Sequence, residues 1–143
     1  MQKTENLNPL ISVIMNCHNG EEYLSQSIES LINQTYENWE LIFFNNFSED
    51  KSVLIANSYK DKRIKIFHSH NFISLYKARN EALKKAKGEF IAFLDVDDFW
   101  QKDKLELQIP LFKDLNIAVV YGNLFVVNEK LNTKKIFLKK QKP

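Results

Sequence analysis

The sequence predicts an α/β protein built on a mostly parallel sheet with helices on both faces. Two observations carry this. Short apolar, β-branched runs alternate with amphipathic helical stretches from residue 10 onward, the pattern of β-α-β units joined by right-handed crossovers. The apolar run Phe90 to Leu94 then opens straight into Asp95, Asp97 and Asp98. In open α/β sheets, ligands bind at the carboxyl ends of strands, where these acids fall.

Each element has its own signal. Leu10 to Met15 reads as a first strand, and Asn19-Gly20 turns the chain. Glu21 and Glu22 suit the first turn of a helix, where the helix dipole favours acids. Leu24, Ile28, Leu31 and Ile32 give that helix a buried stripe ending near Gln34. Glu40 to Phe44 is a second strand. Glu49 to Tyr59 is a second helix with Val53, Leu54 and Ala56 inward. Arg63 to Phe67 is a third strand. Ser74 is placed to cap a helix through Lys87, with Leu75, Ala78, Ala82 and Ala86 on one face and Gly88 as its stop. Phe90 to Leu94 is the fourth strand and reads as buried. Asp103 starts a shorter helix that Pro110 ends or bends. Ile117 to Tyr121 reads as a fifth strand. Phe125 to Asn128 and Lys135 to Leu138 read as a hairpin around Asn132.

Composition narrows the class. A 44% hydrophobic fraction over 143 residues suits one domain with a core. No apolar run approaches the ~18 residues of a membrane span. The polar start MQKTENLNP lacks the apolar centre of a signal peptide. Cys17, the single cysteine, fits a reducing compartment, so a cytoplasmic location is expected. A net charge of +2 is too small to argue for nucleic acid. Residues 129–143 concentrate Lys130, Lys134, Lys135, Lys139, Lys140 and Lys142 against the single acid Glu129. Such a segment suits either a solvated tail, the commoner case, or contact with an anionic membrane surface. The expected organisation is a lead-in over 1–8, one domain over 9–128 and a Lys-rich segment over 129–143.

Three loops carry the chemistry. Asn16-Cys17-His18-Asn19, Asn45-Asn46-Phe47-Ser48 and Asp95-Val96-Asp97-Asp98 each follow a strand, so all three belong on one edge of the sheet. Three neighbouring acids repel one another unless a cation sits among them. Mg²⁺ or Mn²⁺ carrying a diphosphate is the natural candidate, because these ions share their shell between carboxylates, phosphates and water. The plainer alternative is a solvated turn with Asp98 or Asp103 capping the next helix. Asparagine amides can read a base, and His18 can stack on one; singly, such residues also make ordinary Asx turns. Arg79 is either a solvated helix residue or a planar fork for phosphate or a base carbonyl. His68 and His70 have no zinc-site spacing. Cys17 and His18 are adjacent on an extended chain and point opposite ways, so they make no nucleophile–base pair. The chain has no GxGxxG and no Walker loop.

The pieces ISVIMNCHNGEEYLSQSIESLINQTYENWELIFFNN, KARNEALKKAKGEFIAFLDVDDFW and AVVYGN, in that order over roughly residues 8 to 123, resemble the N-terminal part of a family 2 glycosyltransferase. These are inverting enzymes with the GT-A fold. The resemblance implies a nucleotide-diphosphate sugar donor, UDP-linked on family frequency, Mg²⁺ or Mn²⁺ as cofactor, and a glycan or lipid-linked acceptor. It implies nucleotide-lining roles for Asn16 and His18, a base-reading role for Asn46, a place near base and phosphate for Arg79, and the DxD pair in Asp95 and Asp97, with Asp97 closest to the metal. Two positions depart from the family pattern. The second loop has Asn45-Asn46 where acids are usual, and the first has His18 where an aromatic is usual. The resemblance places the general base in a second half beyond Pro143, so a truncated donor half is expected, peripheral to the inner face of a membrane if anything. A non-catalytic nucleotide-sugar-binding remnant or interaction module is the alternative. A nucleotidyltransferase is less favoured, because Asn16 to Gly20 is not the Gly-rich basic loop that class uses.

Overall fold

The computed structural model describes residues 8–128 and 133–137. The chain divides into two compact units, a first running to Glu106 and a second beginning at Leu107. The first contains β1 (Ile11–Cys17), α1 (Leu24–Ile32), β2 (Trp39–Asn45), α2 (Ser52–Ser58), β3 (Ile64–His68), α3 (Leu75–Leu83) and β4 (Phe90–Phe93). The four strands form one parallel sheet in the order β3-β2-β1-β4. The chain steps from β1 to β2 to β3, then returns past β1 to add β4. Right-handed crossovers therefore put α1 and α2 on one face and α3 on the other.

β1 and β2 are central and buried along almost their whole length, which explains their near-continuous apolar sequence. Ile14 pairs in register with Ile42 and Phe93. Ile14, Ile42 and Phe44 meet Ala78 and Ala82 of α3, whose small side chains let the helix lie close on the sheet. Val13, Met15, Leu41 and Phe43, on the alternate face, are fully buried, as are Leu24, Ile28 and Leu31 of α1.

Several elements differ from the sequence reading. Glu21 and Glu22 precede α1, which begins only at Leu24. Ala56 is buried as expected, but Leu54 is 71% exposed, because the shorter α2 turns Ser52 inward in its place. Ser74 makes no cap hydrogen bond; its hydroxyl is buried without a partner among the described residues. α3 ends at Leu83, before Gly88. Gly88 is required for space, not as a left-handed stop: a Cβ there would lie 2.5 Å from the Ser12 nitrogen and 2.6 Å from the Leu10 carbonyl. β4 is an edge strand whose Ile91 and Phe93 are exposed, because only β1 pairs with it among the described residues.

The second unit holds most of a short helix pair. α4 (Lys104–Gln108) crosses the boundary and passes into a 3-10 helix over Ile109–Lys113. Pro110 sits in the first turn of the latter and removes an amide that an α-helix would use. Ile117 to Tyr121 is irregular, with Val119 and Tyr121 exposed. A strand needs a ladder partner, and this run has none among the described residues. β5 (Leu124–Asn128) and β6 (Thr133–Phe137) pair antiparallel, Leu124 opposite Phe137 and Asn128 opposite Thr133. The residues around Asn132, Leu138 and all but the last residue of the lead-in lie outside the described residues.

At the amino end of the sheet, Glu40 is 3% exposed. Its carboxylate accepts from the Ser12 hydroxyl at 2.6 Å and the Lys87 amide at 2.7 Å, and pairs with Lys65. The Ser12 hydroxyl also accepts from the Gly88 amide at 2.8 Å. Burial alone would raise the Glu40 pKa, but the bonds from Lys65, Ser12 and Lys87 outweigh it and hold the carboxyl below its usual range. A carboxylate with a depressed folded-state pKa stabilises above its unfolded value, here 4.5, and loses that contribution as pH falls through the folded value. Glu40→Ala is expected to cost about 1–3 kcal/mol in urea melts near neutral pH. The gap to wild type should shrink as the pH is taken below 4.5; a gap independent of pH would contradict this account.

Candidate functional site

A parallel sheet brings the carboxyl ends of all its strands to one edge, and the reversal of strand order between β1 and β4 opens a crevice there. The loops after β1 and β2 are laced together across that edge. The Asn19 amide donates to the Ser48 hydroxyl at 3.0 Å, and the Asn19 side chain accepts from the Glu49 amide at 2.9 Å. The Gly20 amide donates to Ser52 at 2.9 Å. The Glu21 amide donates to the Asp50 carboxylate at 2.9 Å, and the Glu21 carboxylate accepts from the Lys51 amide at 2.8 Å. This clasp is what the acids at residues 21 and 50 do. Asn19 takes the left-handed backbone of the turn, with φ 54°. Gly20 is needed for room instead: a Cβ would come within 3.0 Å of Val96 and 3.1 Å of Cys17. The first loop therefore packs directly on the acidic loop. Phe47 is also left-handed, with φ 62°, which costs an L-residue about 1–2 kcal/mol.

The sequence-predicted residues fall along this edge in different states. Both polar atoms of the Asn16 amide are buried without a hydrogen-bond partner among the described residues. Orphaned groups of this kind are rare in folded proteins and signal an absent ligand or water. His18 is exposed; its Nδ1 lies 3.0 Å from the Asn46 carbonyl, and its ring lies against Phe72. Asn46 is 4% exposed, and its amide is paired with the backbone of Ile73. Arg79 reaches from α3 to Asp95, with Nη2 and Oδ1 2.8 Å apart, and its guanidinium stands 5.6 Å over the Phe93 ring. Asp97 and Asp98 are exposed. Burial, and then the charges of Asp97 and Asp95, push the Asp98 carboxyl above its usual range. Asp98 thus feels both neighbouring acids, and Arg79 is paired with Asp95.

The acidic loop hangs from α1. The Ser27 hydroxyl donates to the Asp95 carbonyl at 3.1 Å, and the Ser30 hydroxyl accepts from the Trp100 amide at 3.0 Å. Gln34, 5% exposed, donates to the Gln101 carbonyl at 2.7 Å and accepts from the Leu105 amide at 3.1 Å. The Thr35 amide adds a bond to the Lys102 carbonyl at 2.8 Å. Sequence reasoning passed over these residues. The signal was there, since Ser27, Ser30 and Gln34 recur at helical spacing beside the apolar stripe.

Chemically, the edge offers exposed carboxylates, one guanidinium, an imidazole and an unpaired amide. Among the described residues no three His, Cys, Asp or Glu side chains close around a metal position. One or two open carboxylates are nevertheless the donor set that suits Mg²⁺ or Mn²⁺ when phosphate oxygens and water complete the shell. Asp97 fits that use.

This parallel sheet with helices on both faces is the GT-A glycosyltransferase fold. The family model "Glycosyl transferase family 2" matches residues 12–140, and the chain belongs to that family. It is 43% identical over 119 residues to the Escherichia coli UDP-Glc:alpha-D-GlcNAc-diphosphoundecaprenol beta-1,3-glucosyltransferase WfgD, covering 83% of this chain and 47% of that protein. It is 36% identical over 115 residues to the putative teichuronic acid biosynthesis glycosyltransferase TuaG of Bacillus subtilis, covering 79% and 46%. The crystal structure of S. aureus TarS 1-349 in complex with UDP superposes with a TM-score of 0.68 at 31% identity, covering 73% of this chain and 32% of that one. The chain spans about half the length of these two curated relatives.

Gln34→Leu keeps the volume of the side chain and removes its hydrogen bonds to the segment after the acidic loop. It is expected to lower stability by about 1–3 kcal/mol and to speed hydrogen exchange at the Leu105 amide. Unchanged protection of that amide would show that Gln34 does not hold the segment.

Proposed function

We propose that this chain is the donor-binding portion of an inverting glycosyltransferase. It takes a sugar from a nucleotide-diphosphate donor, UDP-linked, and serves transfer to a glycan or lipid-linked acceptor. The observation that carries the reading is the meeting of the Asn16–Gly20 loop and the Asp95–Asp98 loop at the switch point of the sheet, with Arg79 reaching across to Asp95. It is supported by membership of family 2, by the donor in the name of the WfgD relative, and by the UDP complex of TarS.

In this reading each residue has a distinct task. The unpaired Asn16 amide meets the nucleotide, where its donors and acceptor find partners. The His18 ring lies along the base. The Arg79 fork offers charge-assisted bonds to phosphate once the donor competes for it with Asp95. Asp95 orients that fork beside the nucleotide. Asp97 is the carboxylate that would hold Mg²⁺ or Mn²⁺, and Asp98 lies next to it. The ion supplies neutralisation of charge on the departing diphosphate. An acceptor hydroxyl attacking the anomeric carbon from the face opposite the diphosphate inverts that centre. Such an attack also needs a general base within hydrogen-bond reach of the hydroxyl, and none of the residues named here takes that role. The WfgD name specifies a diphosphoundecaprenol-linked acceptor. An acceptor of that kind places the work at the inner face of a membrane; no helix among the described residues is long and apolar enough to cross one. The Lys-rich segment 129–143 suits contact with anionic headgroups there.

Calorimetric titration of the 143-residue chain with UDP, with and without Mn²⁺, tests the reading. Binding that strengthens with Mn²⁺ is expected, and Asp97→Asn should remove the Mn²⁺-dependent part while circular dichroism stays unchanged. Mn²⁺-dependent binding that survives Asp97→Asn would take the metal away from this carboxylate. Absence of UDP binding in the folded wild type would favour a remnant that no longer holds a nucleotide.

A further inference from the structure

Phe72 stands in the loop between β3 and α3 with 58% of its surface in water. Its ring centroid is 4.6 Å from that of His18, with the planes tilted by 54°. Two aromatic rings thus meet, exposed, at the edge where the first loop ends. Both are fixed by Asn46. Through its side chain, Asn46 donates to the Ile73 carbonyl at 2.8 Å and accepts from the Ile73 amide at 3.1 Å, which fixes the residue next to Phe72. Through its main chain, it donates to the Cys17 carbonyl at 2.7 Å and accepts from His18 Nδ1 at 3.0 Å. A carbonyl only accepts, so Nδ1 carries the proton and the ring is held in one tautomer and one orientation. Asn46 is 4% exposed. Its side-chain oxygen also accepts from the Ser69 hydroxyl at 3.4 Å.

We infer that Phe72, together with His18, forms the platform on which the base of the nucleotide stacks. Asn46 is the positioning residue that sets this platform, and not the group that reads the base. The inference rests on the reading of this edge as a nucleotide-diphosphate site. It adds to that site a residue, Phe72, that carries no polar atom and recognises a π-face alone. Stacking of this kind tolerates any base, because every base has such a face. Selectivity between bases then falls to other groups on the edge.

The test compares UDP, CDP and inorganic pyrophosphate, each titrated into the chain with Mn²⁺. Phe72→Ala is expected to weaken UDP about tenfold and to leave pyrophosphate, which has no base, unchanged. Phe72→Trp should bind UDP at least as well as wild type. Asn46→Ala, in protein whose circular dichroism matches wild type, should weaken UDP and CDP by the same factor. Asn46→Asp, which keeps the bond from the Ile73 amide, carries the same test if the alanine variant unfolds. Equal UDP binding by wild type and Phe72→Ala overturns the platform and leaves the donor site standing. A changed UDP-to-CDP ratio in the Asn46 variant overturns its positioning role, because the amide would then be reading the base. If wild type binds neither UDP nor pyrophosphate, the donor-site reading fails and the platform with it.

Discussion

Glu40 sits at the amino end of β2 with its two carboxylate oxygens taken up by three other parts of the chain: Ser12 of β1, Lys65 of β3 and the Lys87 amide ahead of β4. A carboxylate this buried is costly unless every lone pair is answered. Its answer fixes the start of each strand relative to the others. A side-chain register error of one residue in β1 would swing Ser12 to the other face and abandon the charge. The close pass of Gly88 over Ser12 belongs to the same arrangement, since no side chain fits between them. With the amino ends pinned in this way, the carboxyl ends emerge level at the opposite edge.

That opposite edge follows a different rule. Its polar groups are satisfied mostly between loops, in the exchanges between residues 19–21 and 48–52 and in the hold of α1 on residues 95–105. Among the described residues the buried polar side-chain atoms without a partner are those of the Asn16 amide, the Trp39 indole nitrogen and the Ser74 hydroxyl. Of these, the Asn16 amide shares the strand-end edge with the exposed acids Asp95, Asp97 and Asp98, an association of unmet polar groups and open charge that is common at functional sites.

Much of this was legible in the sequence, for reasons that differ by element. The strands and helices of the first unit declare themselves because burial on a regular lattice imposes a period, and Ile11 to Cys17 or Leu24 to Ile32 carry it plainly. The loop acids and asparagines were legible because they follow strands. Failures came where structure depends on a neighbour instead of a period. Ile117 to Tyr121 has strand composition but no partner ladder among the described residues, and β4 reads as buried but lies at an edge. Ser74 holds the N-cap position of α3 but its hydroxyl makes no capping bond, Glu21 serves as a clasp across loops, and Gly88 marks a close approach instead of a helix stop. Ser27, Ser30 and Gln34 escaped because a search for apolar periodicity does not score polar residues. Phe72 escaped because a lone aromatic in a loop has no pattern at all; only its contact with His18 gives it meaning.

The hold of α1 on the acidic loop also has a consequence for how the molecule is made. Its hydrogen bonds join residues 67 to 71 positions apart, so each closes a long loop of chain and none can form early on entropic grounds. During synthesis the chain emerges amino end first. The first helix therefore waits with the Gln34 amide and the Ser27 and Ser30 hydroxyls facing water until residues 95–105 arrive. The carboxylate loop of the first unit is thus among the last of its parts to take shape.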